Sequence, residues 1–201
     1  GHAAPSPDQN GNYWNSWRRS TVPVGTTFTN LVKTSGATSS VDLVVTSVFD
    51  NPNGGTSSGG LMAPDYNLLG DFAVTNATED YFPTTTSAKF KITSLDSRFS
   101  YTLRFFGTRA LNAATRTTRY TVAAGNGTYS TNIVTTGTDV GANGYDGNNN
   151  TIAELSGLTT DANGEIEVSV ICVNAGSCAY LNIMEIRVEE VAPLALADRL
   201  L

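Results

Sequence analysis

The chain has 201 residues, of which 40% are hydrophobic and only 15% are charged, and its formal net charge is -6. A chain of this length can bury one complete core, so it needs no metal or disulfide framework to fold. The acidic balance argues against a nucleic-acid partner, whose phosphates require a basic surface, and more weakly against a strongly polyanionic ligand. No apolar run reaches the ~20 residues of a membrane-spanning helix, so insertion into a membrane is not expected.

The two ends of the chain differ in composition from its middle. Residues 1–12 are rich in Pro and Asn and are expected to form a flexible lead-in, in which Gly1 and His2 look like a tag remnant. No signal peptide is visible, which suggests a mature or excised domain. We expect the folded domain over 13–191 and a tail or linker over 192–201, with a helical period only in 193–201.

Strand-like segments follow one another from residue 41 onwards. Most of them alternate apolar and polar residues, which is the pattern of a half-buried strand. Turn-forming clusters separate them, such as DNPNGGTSSGG (50–60) and GANGYDGNNN (141–150). The segments are 41–49, 88–93, 99–107, 117–123, 128–134, 151–155, 164–173 and 179–190. This succession predicts an all-β jelly-roll sandwich, with 179–190 as a central strand because both of its faces carry apolar residues.

Cys172 and Cys178 flank the turn-forming sequence 174–177. We expect a hairpin closed by a disulfide, which would add about 2–3 kcal/mol of stability. Such a bond indicates an oxidising compartment, so the protein is expected to be secreted or on the cell surface. Two free thiols are the alternative, and zinc is not expected because no second Cys or His pair could complete its coordination.

Several longer strings resemble one known family. They are NYWNSW (12–17), TNLVKTSGATSSVDLVVTSVF (29–49), DYFPTTTSAKFKITSLDSRFSYTLRFFGTR (80–109), TRYTVAAGN (118–126), and DANGEIEVSVI with AYLNIMEIRV within 161–188. Together they resemble the galactose-binding-like β-sandwich modules appended to secreted bacterial polysaccharide-degrading enzymes, of which Bacteroidetes are a common source. The resemblance implies a galactose-binding-domain-like fold, a polysaccharide or oligosaccharide ligand, and an adjoining catalytic domain in a larger protein.

The sequence offers little for catalysis. The only histidine is His2, which removes the usual Ser-His-Asp and Cys-His arrangements, and no G-x-S-x-G motif occurs. A carboxylate-based glycoside hydrolase or lyase is one alternative, using acids such as Glu165, Glu167 or Glu185, but a hydrolase needs two carboxyl groups facing each other about 5–10 Å apart. We therefore expect a non-catalytic carbohydrate-binding module, with a structural or adhesion module without a sugar site as the other alternative.

Aromatic and arginine side chains are the candidate ligand-binding residues. Trp or Tyr can stack on the flat C–H faces of sugar rings, which favours Trp17, Tyr66 and Tyr145, whereas Trp14 is expected in the core. Arg109 ends a predicted strand and Arg116 follows in the next connection. Their planar guanidinium groups could bind sugar hydroxyls or a carboxylate, the alternative for Arg109 being an ion pair with Asp71 or Asp80.

A calcium site is implied by the resemblance alone, because modules of this family often hold one structural Ca²⁺. Calcium prefers six to eight oxygen ligands. One loop could supply them from Asp139, Asn143, Asp146 and Asn148, and Asn143 is also a candidate ligand-binding residue. A second loop offers Asp50, Asn51 and Asn53. Plain turns are the alternative, since Asn, Asp and Gly tolerate left-handed backbone.

Overall fold

The computed structural model describes residues 3–17, 23–50, 59–110, 114–174 and 176–190, which are mostly β-strand. The strands are β1 (Thr27–Phe28), β2 (Asp42–Ser47), β3 (Phe82–Thr84), β4 (Ser87–Thr93), β5 (Phe99–Phe106), β6 (Arg116–Ala124), β7 (Gly127–Thr136), β8 (Ala153–Leu158), β9 (Ile166–Cys172), β10 (Ala179–Leu181) and β11 (Ile183–Glu190). The helices are short: α1 (Tyr66–Leu69), α2 (Thr75–Thr78) and 3-10 turns at Gly70–Phe72 and Ala142–Gly144. Among the described residues, no helix has the length and hydrophobicity to span a bilayer.

The strands form two main sheets in which every pairing is antiparallel. The larger sheet has the order β1-β2-β4-β9-β6-β7, the smaller has β11-β5-β8, and β10 pairs with β3. Strand β4 shows why one face of the larger sheet is apolar. Its residues alternate between half-buried and buried positions, so that Phe90 and Ile92 point inward while Lys89 and Lys91 point outward.

The main core lies between the two sheets. Phe90 and Val168 of the larger sheet and Leu103 and Phe105 of the smaller sheet have no exposed surface and belong to one apolar cluster. The ring of Phe105 stacks on that of Tyr120 across the sheets, with centroids 4.7 Å apart. Two antiparallel sheets that share one core make a β-sandwich, which confirms the predicted fold class.

A second apolar cluster covers the outer face of the smaller sheet. Phe106 and Ile183 point away from the main core and are packed against Leu69 and Phe72 of the helical segment. This corrects the predicted central position of 179–190. Strand β11 pairs with β5 alone among the described strands, and its second apolar face is covered by the helical segment rather than by another sheet.

The segment predicted as one strand over 179–190 is two strands in different sheets. Asn182 separates them: its Nδ2 donates to the backbone oxygens of Thr78 at 2.9 Å and Asp80 at 2.7 Å. Its Oδ1 accepts from the backbone N–H of Thr108 at 2.8 Å. Because these bonds turn the chain at Asn182, β10 joins β3 while β11 joins β5.

The N-terminal segment is docked rather than free over its described residues, which corrects the predicted lead-in. Trp14 Nε1 donates to Asp8 Oδ2 at 2.8 Å, and Asn76 Nδ2 donates to the backbone oxygen of Ala3 at 3.1 Å. Burial raises the pKa of Asp8, but the hydrogen bonds from Trp14 and from backbone N–H groups outweigh it and hold that pKa below its usual range. Residues 1–2 and the predicted tail 192–201 lie outside the described residues.

The predicted disulfide is not formed, because Cys172 and Cys178 are free, partly buried thiols. The hairpin that was expected to bring them together does not exist. Strand β9, which ends at Cys172, pairs with β4 and β6, whereas β10, which follows Cys178, pairs with β3. The Sγ of Cys172 donates instead to the backbone oxygen of Asn174 at 3.2 Å.

Candidate functional site

Two of the predicted ligand-binding residues, Arg109 and Arg116, meet at one end of the sandwich. Arg109 follows β5, Arg116 begins β6, and both reach Tyr180 in β10. Tyr81, directly before β3, completes the group. We refer to Arg109, Arg116, Tyr81 and Tyr180 as the arginine–tyrosine cluster.

The two guanidinium groups of the cluster share one acceptor. Nη1 of Arg109 donates to the Tyr180 hydroxyl oxygen at 3.1 Å, and Nη1 of Arg116 donates to the same oxygen. Each guanidinium carbon lies 5.8 Å from the centroid of the Tyr180 ring, and that of Arg109 lies 5.7 Å from the Tyr81 ring. The two tyrosine rings meet edge to face at 5.0 Å. Cation–π attraction therefore adds to the hydrogen bonds in fixing both arginines.

Local sequence holds Tyr180 in place. The backbone N–H of Tyr180 donates to Thr118 Oγ1 at 2.9 Å, and its backbone oxygen accepts from the Tyr120 hydroxyl at 2.6 Å. A Cβ at Gly107 would lie 2.4 Å from both that hydroxyl and that oxygen, so only glycine fits there. Since Tyr180 is fully buried, its hydroxyl serves to position the arginines rather than to contact a ligand.

The cluster has an excess of positive charge. No carboxylate of the described residues lies within 4.0 Å of either guanidinium, so the ion pair of Arg109 with Asp71 or Asp80 is not formed. The Nε atoms of Arg109 and Arg116 are buried and have no hydrogen-bond partner. Burial lowers the pKa of Arg109, but the hydrogen bond to Tyr180 outweighs it and the pKa is raised, so this guanidinium stays charged.

The two phenols of the cluster do not neutralise this charge. Burial raises the pKa of Tyr81 and of Tyr180, although the nearby arginines act in the opposite direction. Both phenols are therefore neutral at pH 7, where both arginines are protonated. The described part of the cluster consequently carries two positive charges and no negative one.

An open groove of about 450 Å³ runs along strand β7. One of its lining residues, Thr115, directly precedes Arg116 of the cluster in the sequence. Its walls combine hydroxyl and amide groups with aliphatic side chains. The lining residues are Thr115, Asn132, Ile133, Val134, Val140 and Thr151.

Trp17 is half-buried and packs against the main core, and its role as a sugar platform stays a prediction. Its ring lies 5.1 Å from that of Phe82, 5.4 Å from Phe28, 5.6 Å from Phe49 and 5.9 Å from Phe90. These partners come from four separate parts of the chain, so only the tertiary fold could reveal them. Trp14 packs at the edge of the second apolar cluster, as expected.

The two predicted tyrosines lie elsewhere. Tyr145 is half-buried against the second apolar cluster, and burial together with nearby Asp146 raises its pKa. Tyr66 is 54% exposed at the start of α1, where Asp65 caps the helix by accepting from the backbone N–H of Asn67 at 2.8 Å. Neither tyrosine is among the residues that line the groove. Their role in binding stays a prediction.

The loop proposed to bind calcium is organised by its own hydrogen bonds. Asp146 Oδ1 accepts from the backbone N–H of Asp139 at 3.1 Å, and Asn143 is an exposed residue with a φ of 57°. The buried Asn148 donates to the backbone oxygens of Gly107 at 3.1 Å and Thr151 at 2.7 Å, which pins the loop to the end of β5. These contacts are those of plain turns.

Calcium binding stays a prediction of the resemblance. Within the described ranges, no group of three or more His, Cys, Asp or Glu could hold a metal ion. In the second candidate loop, Asp50 Oδ2 accepts from the backbone N–H of Thr85 at 2.6 Å and its hydroxyl at 2.8 Å. Asn51 and Asn53 lie outside the described residues.

Sequence reasoning missed most of what surrounds the arginines. Tyr180 was expected only as a core or sheet-surface residue, because its alternation shows burial but not the partner of its hydroxyl. Of the groove residues, Thr115, Asn132 and Val140 carry no local signal, since the groove exists only where β7 lies beside the connection that follows it.

Comparison with known proteins gives no family assignment. No protein-family model matches the chain, and no curated protein matches it. Among solved structures, the chain is similar to the carbohydrate-binding module TmCBM61 in complex with β-1,4-galactotriose, with 14% identity over 55% of this chain and 70% of that one and a TM-score of 0.34.

Two plant structures are also similar to this chain. One is the plant receptor-like kinase ANX2, with 12% identity over 83% of this chain and 54% of that one and a TM-score of 0.46. The other is the ANXUR2 extracellular domain from Arabidopsis thaliana, with 14% identity over 82% and 54% and a TM-score of 0.42. The match spans about half the length of each plant chain. The class defined by the strand pairings and core is a β-sandwich with a cationic end.

Proposed function

We propose that this chain is a non-catalytic carbohydrate-binding module of a secreted or cell-surface protein, and that it binds glycan in the groove along β7. The observation that carries the proposal is the open groove of about 450 Å³ between β7 and the loop that follows it. Its volume lies in the range of small-ligand sites, and it is open to solvent along an edge strand of the sandwich.

The lining of the groove suits a sugar ring, which has hydroxyls at its rim and C–H groups on its faces. The hydroxyls of Thr115 and Thr151 and the amide of Asn132 can exchange hydrogen bonds with sugar hydroxyls. Val134 and Val140 offer apolar contact for the C–H faces. Asn132 is oriented before binding, because Arg119 Nε donates to its Oδ1 at 3.1 Å.

The state of the acidic residues supports binding rather than turnover. Three of the carboxylates that a glycosidase could use are held in ion pairs: Glu165 with Lys91 at 2.6 Å, Glu167 with Lys89 at 3.1 Å, and Glu185 with Arg104 at 2.7 Å. In the larger protein, such a module would keep an adjoining catalytic domain close to its polysaccharide and raise the effective substrate concentration.

The test is affinity electrophoresis of the pure chain through gels that contain single polysaccharides, neutral and acidic. We expect retardation by at least one of them, and Asn132→Ala should weaken it about 2- to 10-fold through the loss of one hydrogen-bonding side chain. Ser130→Ala is the matched control, because Ser130 is exposed on the same strand, bonds Thr121 at 2.8 Å and does not line the groove.

Two results would contradict this proposal. One is migration unaffected by every polysaccharide while thermal unfolding shows an intact fold. The other is equal retardation of the Asn132 and Ser130 variants, which would place the site away from the groove. Release of sugar from a chromogenic glycoside would contradict the non-catalytic assignment.

A further inference from the structure

Arg109 and Arg116 are the partly buried cationic side chains of the described chain that form no ion pair; Lys33 and Arg119 form none either, but both are exposed. Arg98 pairs with Asp96 at 2.6 Å, Arg104 with Glu185 at 2.7 Å, and Lys91 with Glu165 at 2.6 Å. Arg109 and Arg116, which lie against the same tyrosine ring, have no carboxylate within 4.0 Å among the described residues. Two like charges this close repel each other unless an anion lies between or beside them.

Acidic residues near the cluster in sequence do not pair with its arginines. Glu79 and Asp80 precede Tyr81, but neither carboxylate lies within 4.0 Å of Arg109 or Arg116. The segments 111–113 (LNA) and 175 (Ala), which lie nearest to Arg109, Arg116 and Tyr180 in the chain, contain no acidic residue. Each guanidinium uses one Nη atom to reach Tyr180, and each has a buried Nε without a partner. The positive charge of these groups is therefore not balanced by a carboxylate within the described chain. Because the Nε atoms are buried, a ligand from solvent would bind through the Nη groups.

The geometry suits an oxyanion that approaches from solvent. Both arginines are only partly buried, while the tyrosines beneath them are buried and fix their planes. A guanidinium held in a fixed plane binds a carboxylate or sulfate through two parallel N–H bonds, at little further cost in side-chain entropy.

We propose that Arg109 and Arg116 bind an oxyanion carried by the glycan, so that the ligand of this module is an acidic polysaccharide, with a uronate carboxylate or a sulfate ester. This inference rests on the proposed function and specifies its ligand class. The net charge of -6 is compatible with it, because a local pair of uncompensated cations acts at short range whereas distant charges are screened by salt.

The experiment is calorimetric titration of the full chain with two matched pairs of oligosaccharides. An oligogalacturonate and its methyl ester test the carboxylate, and a sulfated galactan oligosaccharide and its desulfated form test the sulfate ester. We expect one acidic member to bind at least about 10-fold more tightly than its neutral match, as a charge-assisted hydrogen-bond pair predicts. This preference should fall as salt is raised.

Substitutions in the cluster test whether its arginines cause the preference for acidic oligosaccharides. Arg116→Met should weaken binding of the acidic oligosaccharide about 10- to 100-fold and leave the neutral one unchanged. Arg109→Lys keeps the positive charge but removes the planar guanidinium that can form two parallel hydrogen bonds, so it should weaken binding less than Arg116→Met does. It also provides a second measurement if Arg116→Met fails to fold. Arg98→Met is the matched control, because it removes the same charge from the opposite end of β5.

The outcomes separate this inference from the proposed function. The inference is overturned if the acidic and neutral oligosaccharides bind equally well. It is also overturned if Arg116→Met changes binding no more than Arg98→Met does. Either result would leave the proposed carbohydrate binding unaffected. If no oligosaccharide binds, the Nε–H NMR signals of Arg109 and Arg116 are followed during titration with inorganic sulfate. Saturable shifts confined to these two signals would support an anion site without a glycan, and their absence would overturn it.

Discussion

The outer face of the larger sheet and the arginine–tyrosine cluster use charge in opposite ways. On the sheet face, Lys89 and Lys91 of β4 form diagonal ion pairs with Glu167 and Glu165 of β9, so each positive charge has a negative neighbour across the strands. In the cluster, two arginines converge on one neutral phenol. Both regions are made from neighbouring strands of the same sandwich, so the difference lies in the side chains.

This difference separates a surface whose charges are paired from the cluster for which we propose binding. Exposed cross-strand ion pairs contribute little individually, but they leave no local excess of charge and offer nothing to a ligand. An uncompensated pair of cations works against folding and persists where a ligand gains from it. If the cluster binds an anion as proposed, its unpaired charges lower local stability in exchange for binding.

Removing the phenol oxygen that both arginines share should lower the free energy of unfolding more than any other change predicted below. In Tyr180→Phe, two guanidinium groups lose their common acceptor in a buried setting, so we expect a loss of about 1–3 kcal/mol in the free energy of unfolding. Urea denaturation at pH 7 measures it. Tyr129→Phe is the control, since Tyr129 is 37% exposed and its hydroxyl donates to the backbone oxygen of Asn126 at 3.2 Å.

The control should change the free energy of unfolding by no more than about 0.5 kcal/mol. If Tyr180→Phe lowers the free energy of unfolding no more than Tyr129→Phe does, the Tyr180 hydroxyl does not hold the arginines. The cluster is then less organised than its hydrogen bonds indicate.

Double-mutant cycles should give coupling energies of opposite sign in the two regions. Between Lys89 and Glu167 we expect a favourable coupling of about 0.2–1 kcal/mol, typical of an exposed pair. Between Arg109 and Arg116, using Met at both positions, the coupling should be unfavourable by about 0.5 kcal/mol or more, because each charge destabilises the other. Urea unfolding of the single and double variants at low salt supplies both values.

Salt provides an internal check on the same cycles. Both couplings should shrink towards zero as salt is raised, because both are electrostatic. A favourable coupling between Arg109 and Arg116 would mean that they act as one packed unit on Tyr180, and it would remove the contrast with the sheet face.

The strands were predictable because their signal is local. In β4 the alternation of Lys89, Phe90, Lys91 and Ile92 shows the period of two directly, and the prediction of 88–93 differs from the observed Ser87–Thr93 by one residue. The break at Asn182 was not predictable. Its partners lie 74 to 104 residues away in sequence, so nothing near Asn182 shows that β10 and β11 enter different sheets.

The candidate site was predictable only in part, for a related reason. Arg109 and Arg116 stood out because arginines at strand ends project where loops meet, and the structure does bring them together. The contacts of Trp17 were not predictable, since an aromatic residue in a polar stretch has the same local sequence whether it stacks on a sugar or packs on Phe82 and Phe90. The disulfide failed because the spacing of Cys172 and Cys178 does not show which strands pair.

The smallest effect on stability is expected at the end of the sandwich opposite the cluster, where Arg98 and Asp96 form a solvent-exposed ion pair. Arg98 Nε and Nη2 bond the Asp96 carboxylate and hold its pKa at about 2, well below the ordinary 3.8. Because the folded-state pKa is depressed, the contribution of Asp96 to stability is present above pH 3.8 and is lost as the pH falls through about 2.

In Asp96→Asn this acid-dependent contribution should be missing. The difference in urea midpoint between the natural chain and the variant should therefore be small at pH 5 and should vanish towards pH 2, since an exposed pair is well screened. A carboxyl-carbon NMR titration gives the midpoint of Asp96 directly. A midpoint near 3.8 would show that Arg98 is not bound to Asp96 in solution, and then unpaired cations would no longer distinguish the cluster from the rest of the chain.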